Sequence, residues 1–407
     1  MKALVLGYGR SGKAAEALLR TQGVEAVVLA DDERDGMEGE GFDFAVVSPG
    51  IALTHPWVIE AKRRGISLKS ELQLGCEELK RQGWKLLAVT GSKGKSSVVK
   101  VVADAINLAG GYAVPCGNYG VPVSDVVLED GRRKTEDEKE RWAVVEVSSF
   151  QLETTTLPPD TFEAAAILNL QEDHLDRHGS IEAYHGLKRK LLAFARTGFS
   201  PAATGMSPPR AGERRLWENS YFDNEILAGN AAMAAELMRV AGLDDAKIAA
   251  AFRTFKPLPH RMNLVAEIDG VRYIDDSKAT SVAALIAGVK MASSGNQTSK
   301  QSNNQTILLI AGGLPKGDDP KTALSTLTER VKKVYLIGQS AEAFSEAWNG
   351  AVDCEICGTM ERAVEALKRE AEKGETVLLS PGTASFDQFQ SYGERGDVFA
   401  RLVKKEG

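Results

Sequence analysis

Several things are scarce in this 407-residue chain, and each scarcity excludes something. Four cysteines (Cys76, Cys116, Cys354 and Cys357) are too few for a disulfide framework at this length and fit a reducing compartment. Cys354 and Cys357 form one C-x-x-C with no second pair nearby, which reads as a coincidence of spacing in a strand rather than zinc or redox chemistry. No apolar run approaches the length needed to span a bilayer, and Met1 to Gly7 is too short to serve as a secretory signal. The expected location is therefore cytoplasmic. No strongly basic stretch occurs and the net charge is -6, which argues against a nucleic-acid or anionic-membrane partner. What remains is an ordinary globular composition, 43% hydrophobic and 26% charged, and a length that predicts two or three domains.

The most informative stretch is Thr90-Gly91-Ser92-Lys93-Gly94-Lys95-Ser96-Ser97. It follows the apolar run Leu86–Val89 and precedes a periodic helix carrying Val98, Val99, Val101, Val102 and Ile106. That order, strand then glycine loop then helix, lets backbone N–H groups face a phosphate at a helix N-terminus. Lys95 then reaches a terminal phosphate and Ser96 offers a hydroxyl to Mg2+. The loop is shorter than the usual P-loop, because only Ser92 and Lys93 separate the two glycines. It predicts binding of a nucleoside triphosphate.

Upstream, the strand Lys2–Leu6 leads into Gly7-Tyr8-Gly9-Arg10-Ser11-Gly12 and a helical run, and a second strand near Ala26–Ala30 ends in Asp31-Asp32. This is a βαβ opening whose acids stand where a Rossmann domain bonds a ribose. The fingerprint leaves open a dinucleotide, another nucleotide or a structural turn. A third strand, Ala45–Val47, ends in Ser48-Pro49-Gly50-Ile51 at the same sheet edge, and the domain closes near Gly83. Beyond the phosphate loop comes the turn Gly117-Asn118-Tyr119-Gly120, and the mixed-charge run Glu129–Arg141 reads as a solvated loop. The strand Trp142–Val147 sets Glu146 at its end, where such sheets place an acid for Mg2+. The strand Ala164–Leu168 ends in Asn169, Glu172, Asp173, His174 and Asp176, a crowd that suits metal or phosphate work or, more simply, helix capping. Arg196–Phe222 is rich in Pro, Gly and Arg and carries no strand signal.

After the linker Pro257–Arg261, two strands meet at the hairpin signal Asp269-Gly270, and Asp275–Ser281 opens a helix with hydroxyls and a lysine. The polar stretch Ser293–Gln305 reads as a loop. Strands at Thr306–Ala311, Lys333–Ile337 and Thr376–Leu379 then predict a second Rossmann-type sheet. Lys316, just beyond Gly312-Gly313 at a strand end, is well placed to meet an anion.

Taken together, Gly94-Lys95-Ser96, the Glu146–Glu153 block, Glu172–Arg177, Leu258-Pro259-His260-Arg261, Asp276–Thr280 and Asp387-Gln388-Phe389 resemble the Mur ligases of peptidoglycan synthesis. The Ser148–Glu153 and Ser385–Phe389 blocks point, within that family, to the branch that adds D-glutamate to UDP-N-acetylmuramoyl-L-alanine. The resemblance implies an α/β fold of three domains: a Rossmann-like UDP-binding domain (1–83), a central P-loop ATPase-like parallel sheet (84–258), and a Rossmann-like C-terminal domain (259–407) that closes over ATP and D-glutamate. It implies contacts to the UDP substrate from Arg10, Ser11, Asp31, Asp32, Gly50, Asn118 and His174. It implies ATP contacts from Gly91 to Ser97 and from Asn230, Arg261 and Asp276, with Lys278 at the reacting phosphate. Of the family's His-Asn pair and further Asn at that helix start, only Asn230 stands here, and Ser281 replaces an Asn after the Asp276–Thr280 run. D-glutamate would be held by Thr280, Lys316, Ser385, Phe386 and Tyr392. Two Mg2+ ions are implied, on Ser96, Glu146, His174 and a lysine carbamylated by CO2. The Tyr-x-x-x-Lys pattern puts that lysine at Lys188, with Lys190 as competitor. The chain is expected to act as a monomer. Alternatives are a sister ligase of the folylpolyglutamate synthase kind and a catalytically idle nucleotide binder. The missing strands after Arg196 predict a trimmed central sheet.

Overall fold

The computed structural model describes residues 1–30, 39–131, 140–170, 175–200, 219–222, 225–294 and 306–405. Its chain divides into two compact units, Met1–Phe255 and Lys256–Gly407.

The first unit holds two parallel sheets. One contains β1 (Lys2–Leu6), β2 (Glu25–Leu29), β3 (Phe44–Val47) and β4 (Ser67–Lys69) in the order β2-β1-β3-β4. The other contains β5 (Lys85–Thr90), β6 (Tyr112–Gly117), β7 (Arg141–Glu146), β8 (Phe162–Ile167) and β9 (Ala195–Phe199) in the order β6-β7-β5-β8-β9. Inner strands of such sheets are covered on both faces, so they need continuous apolar runs rather than alternation. Leu86, Leu87, Ala88 and Val89 of β5 are accordingly all fully buried. The strand β9 corrects the expectation of a trimmed central sheet. It is an edge strand whose Arg196, Thr197 and Gly198 are exposed, so it lacks the apolar signature of its neighbours. The stretch 201–218 lies outside the described residues.

One hydrophobic core joins both sheets of this unit, from Ala3, Val5 and Leu18 through Leu72, Leu79 and Trp84 to Leu86, Val145 and Phe162. The helix Glu71–Arg81 contributes to it, its first turn closed by Ser70, whose hydroxyl accepts from the Gln73 amide at 3.0 Å. The neighbouring helix Val123–Asp130 has Pro122 at its N-cap and no side-chain cap of its own. Glu71 supplies one from outside: its Oε1 accepts the Ser124 amide at 2.7 Å, satisfying one of the first-turn donors.

The second unit carries a single sheet of β10 (Asn263–Ile268), β11 (Val271–Asp275), β12 (Ile307–Gly312), β13 (Val331–Ile337), β14 (Asp353–Gly358) and β15 (Thr376–Leu379), ordered β10-β11-β15-β12-β13-β14. All neighbours pair parallel except β10 and β11. Those two join through Asp269 and Gly270, both at positive φ (53° and 76°), the conformation that a two-residue hairpin requires and that Asp and Gly tolerate. Successive strand residues face opposite sides, and the cores divide accordingly. Leu309, Leu336 and Leu378 pack with Leu285, Val289 and Trp348, whereas Ile310, Ile337 and Leu379 pack with Met360, Leu367 and Phe399. Cys354 and Cys357 both lie in the edge strand β14 as free thiols. Among the described residues no helix is long and apolar enough to cross a membrane.

The buried Glu71 makes a prediction. Burial pushes its carboxyl up to about 7, against the opposing pull of the Ser124 amide bond. The folded chain therefore retains a proton there over a pH range in which the unfolded chain has released it. Stability contributed by this group is complete below the ordinary carboxyl range and falls as pH rises toward 7. Glu71→Gln removes that dependence, so the stability difference between wild type and variant, read by denaturant melts, should be larger at pH 5 than at pH 8. A difference that does not change with pH would refute it.

Candidate active site

Three strand ends converge at the carboxyl edge of the second sheet. In register, Val89 pairs with Glu146 and Thr90 with Ile167, so the phosphate loop leaves between Glu146 on one side and Leu168-Asn169 on the other. The loop needs its glycines here. A Cβ on Gly91 would stand 3.0 Å from Leu168 Cβ, with the backbone at a φ of 154°. On Gly94, at a φ of 82°, it would stand 2.0 Å from the Asn230 amide nitrogen.

Two asparagines hold the loop in shape. Asn169 acts as a substitute peptide: its Oδ1 accepts the Lys93 N–H at 2.8 Å, its Nδ2 donates to the Lys93 carbonyl at 2.8 Å, and its own carbonyl accepts the Ser92 N–H at 3.0 Å. Asn230, 1% exposed, accepts from Asn169 at 3.0 Å and donates to the Lys93 carbonyl at 3.3 Å. At about 1 kcal/mol net per bond, this clamp stabilises one loop shape by a few kcal/mol. Lys95 begins the helix Lys95–Leu108 and folds back to donate to the Gly91 and Ser92 carbonyls at 2.9 and 3.2 Å. Ser96 and Ser97 are buried in the first turn, with Ser97 Oγ 2.6 Å from the Tyr221 hydroxyl.

Glu146 is 2% exposed, and its two oxygens differ. Oε1 accepts from Asn118 Nδ2 at 2.8 Å, whereas Oε2 has no hydrogen-bond partner among the described residues. A buried carboxylate oxygen left bare is costly, and a hard cation is the ligand that satisfies it. No group of three or more His, Cys, Asp and Glu side chains is gathered among the described residues.

Lys188, 1% exposed at the end of the helix Ile181–Lys190, donates to the Gly91 carbonyl at 2.9 Å and stands over the Tyr184 ring at 4.5 Å. The Tyr184 hydroxyl is 3.1 Å from Ser92 Oγ. Lys190 faces elsewhere: it donates to the Leu152 carbonyl at 3.1 Å, and burial lowers the pKa of its ammonium. Of the two candidates, Lys188 is the one against the phosphate loop. On the first sheet, Arg10 donates to the Gly120 carbonyl at 2.7 Å, Ser11 is half-buried and Gly50 is exposed. Asp31, Asp32, Glu172, Asp173 and His174 lie outside the described residues.

In the second unit, Asp276 follows β11 and accepts from the Met262 amide at 3.3 Å and Ser380 Oγ at 3.1 Å. Burial raises its carboxyl to about 7, with Ser380 and Arg261 pulling it back. Lys278 lies 3.9 Å over the Tyr392 ring, a cation–π contact. Thr280 is half-buried, Lys316 is exposed, Ser385 is buried, and Phe386 and Tyr392 are 70% and 37% exposed. The segments carrying Lys316 and Ser385 are joined, since Leu314 and Ala384 exchange backbone bonds of 2.9 and 3.1 Å.

Two family models match the chain, the Mur ligase middle domain over residues 89–200 and the Mur ligase glutamate ligase domain over 260–382. The UDP-N-acetylmuramoylalanine–D-glutamate ligase of Synechococcus sp. (strain JA-3-3Ab) is 33% identical, covering 97% of this chain and 96% of its own. The enzyme of the same name from Nitratidesulfovibrio vulgaris (strain DP4) is 34% identical over 99% and 96%. The chain belongs to the Mur ligase family. The crystal structure of the MurF ligase of Thermotoga maritima in complex with ADP shares the fold at a TM-score of 0.57, with 14% identity over 98% of this chain and 93% of that one. Both of these curated relatives are named as D-glutamate ligases, and the folylpolyglutamate synthase alternative is not favoured for this Mur ligase.

One residue of this ligase that sequence reasoning passed over is Arg395. It is fully buried in the helix Tyr392–Lys404 and donates to Ser277 Oγ (3.0 Å) and to the carbonyls of Ser277 (2.9 Å), Ala384 (3.1 Å) and Thr383 (3.2 Å). It ties the loop of Asp276 and Lys278 to the loop of Ser385. Burial lowers its guanidinium to about 10, an effect that Asp387 and Asp275 partly offset. The available signal was its spacing, because Arg395 falls on the same helical stripe as Phe399 and Val403. Arg395→Met leaves several carbonyls unpaired and should destabilise the fold by about 3 kcal/mol, seen as a lower denaturation midpoint. An unchanged midpoint would exclude this clamp.

Proposed function

We propose that this chain joins D-glutamate to UDP-N-acetylmuramoyl-L-alanine at the expense of ATP, an amide-forming step in peptidoglycan precursor synthesis. The single observation carrying the reading is the buried Oε2 of Glu146, without a hydrogen-bond partner among the described residues, beside a clamped phosphate loop. A free carboxylate is a poor acyl donor because its leaving group would be oxide. Transfer of the ATP γ-phosphoryl to the alanine carboxylate forms an O–P bond, breaks the bond to the ADP oxygen and gives an acyl phosphate. The D-glutamate amine then attacks the acyl carbon, loses a proton and expels phosphate. Catalysis of such a transfer is mostly positioning and charge stabilisation.

The parts divide as follows. The backbone of Gly91 to Ser97 cradles the triphosphate, and Lys95, now on the loop carbonyls, swings to the transferring group. Ser96 and Glu146 would hold Mg2+, with His174 and a carbamylated Lys188 for a second ion, supplying positive charge against the phosphates. Lys188 would gain its carbamate when its ammonium releases one proton, the amine nitrogen bonds the carbon of CO2, and a second proton departs. Arg10, Ser11, Asp31, Asp32, Gly50, Asn118 and His174 take the UDP-linked substrate. Asn230, Arg261 and Asp276 serve ATP, and Lys278 serves the reacting phosphate. Thr280, Lys316, Ser385, Phe386 and Tyr392 serve D-glutamate. The functional division is 1–83, 84–258 and 259–407, in a cytoplasmic monomer.

The test is phosphate release from ATP, which should require both UDP-N-acetylmuramoyl-L-alanine and D-glutamate. Release without an acceptor would defeat the ligase reading, and no release would favour an idle nucleotide binder. Lys95→Ala should lower kcat by about a hundredfold or more, the scale for removing one charge-stabilising donor. Lys188→Ala should lose turnover that CO2 does not restore and short carboxylates partly do; full activity in that variant would move the carbamate elsewhere.

A further inference from the structure

We infer that Arg177 is a positioning residue that sets the Ser48–Ile51 turn in the orientation that receives the diphosphate of the UDP-linked substrate. This rests on the reading of Gly50 as part of that substrate's site. Arg177 stands in the short helix Leu175–His178, at the end of the second sheet's β8 segment rather than on the first sheet it serves. Its guanidinium grips Glu153 with two parallel bonds, Nε to Oε1 at 3.1 Å and Nη2 to Oε2 at 2.6 Å. The same Nη2 donates to the Ile51 carbonyl at 2.8 Å and more weakly to the Pro49 carbonyl at 3.4 Å. The plane also lies 5.0 Å over the Phe150 ring. Only a planar fork makes all of these contacts at once; a lysine would have to choose.

The consequence follows from peptide planarity. Among the described residues no cis peptide is present, so in the turn each carbonyl and the next residue's N–H point in opposite directions. Drawing the Pro49 and Ile51 carbonyls toward Arg177 turns the Gly50 and Ala52 N–H groups away from it. Gly50 itself is exposed, and a Cβ added there would meet nothing within 4 Å, so the turn has room beside it. An anion approaching Gly50 then finds N–H groups and not the carbonyl oxygens that would repel it. The other side of the turn is held by the first sheet, where Ser48 Oγ donates to the Gly7 carbonyl at 2.8 Å and the Ile51 amide to the Ser48 carbonyl at 2.9 Å. Glu153 is in turn supported by its neighbour His178, whose Nδ1 is 3.4 Å from Oε1 and whose ring stacks on Tyr184.

Calorimetric titration of the full chain with UDP-N-acetylmuramoyl-L-alanine, and separately with ADP, tests this. Arg177→Lys keeps a charge opposite Glu153, and the pair Arg177→Met with Glu153→Leu removes both buried charges together, so neither leaves one unpaired. Both should bind the UDP substrate about tenfold or more weakly, with raised KM for it, while ADP affinity stays within about twofold. Wild-type affinity for the UDP substrate in both variants overturns the role of Arg177. Equal loss of UDP-substrate and ADP binding with a lowered Tm also overturns it, as general structural damage. A wild-type chain that ignores the UDP substrate, or a Gly50→Val variant that binds it normally, instead overturns the underlying reading of the turn.

Discussion

The shape of the phosphate loop depends on one tight contact, the amide of Asn230 pressed against Gly94 where no side chain could fit. From it follow the left-handed backbone at Gly94, the start of the helix at Lys95 and the burial of Ser96 in its first turn. Asn169 completes the hold by offering Lys93 the pairing that another strand would. A flexible glycine loop is thus converted to a fixed one by two neutral amides. The asparagine clamp itself carries no charge, while Lys95 and Lys188 bond the loop carbonyls from their own side.

The two units share a device with different chemistry. In the first, loops are held by side-chain amides and by the Arg177–Glu153 pair. In the second, Arg395 binds the carbonyls of Ser277, Thr383 and Ala384, with no carboxylate among its bonded partners. A guanidinium held this way organises three backbone groups at once but keeps its charge, which biases the adjoining surface toward anions. The exposed Lys316 and half-buried Lys278 add to that bias.

How much of this was legible beforehand varied with where each signal resides. The loop Gly91–Ser97, the strand ending at Glu146 and the hairpin at Asp269-Gly270 were readable because strand, turn and helix chemistry are local. The strands β4, β9 and β14 were not, because edge strands such as Ala195–Phe199 mix exposed polar residues with few buried ones. Lys188 and Lys190 are equivalent by type and differ only in which way the helix turns them, one to Gly91 and the other to Leu152. Asn169, Arg177 and Arg395 act on partners far away in the chain, and no window of sequence displays such a pairing.

That separation has an effect during synthesis. Asn230 lies 137 positions beyond Lys93, whose carbonyl it binds, and Asn169 lies 76 beyond the same residue. A nascent chain leaving the ribosome therefore carries the glycine segment well before the helix Glu225–Val240 that supplies Asn230. The contacts that fix the loop are thus completed by a stretch that contains none of the glycines and is made well after them.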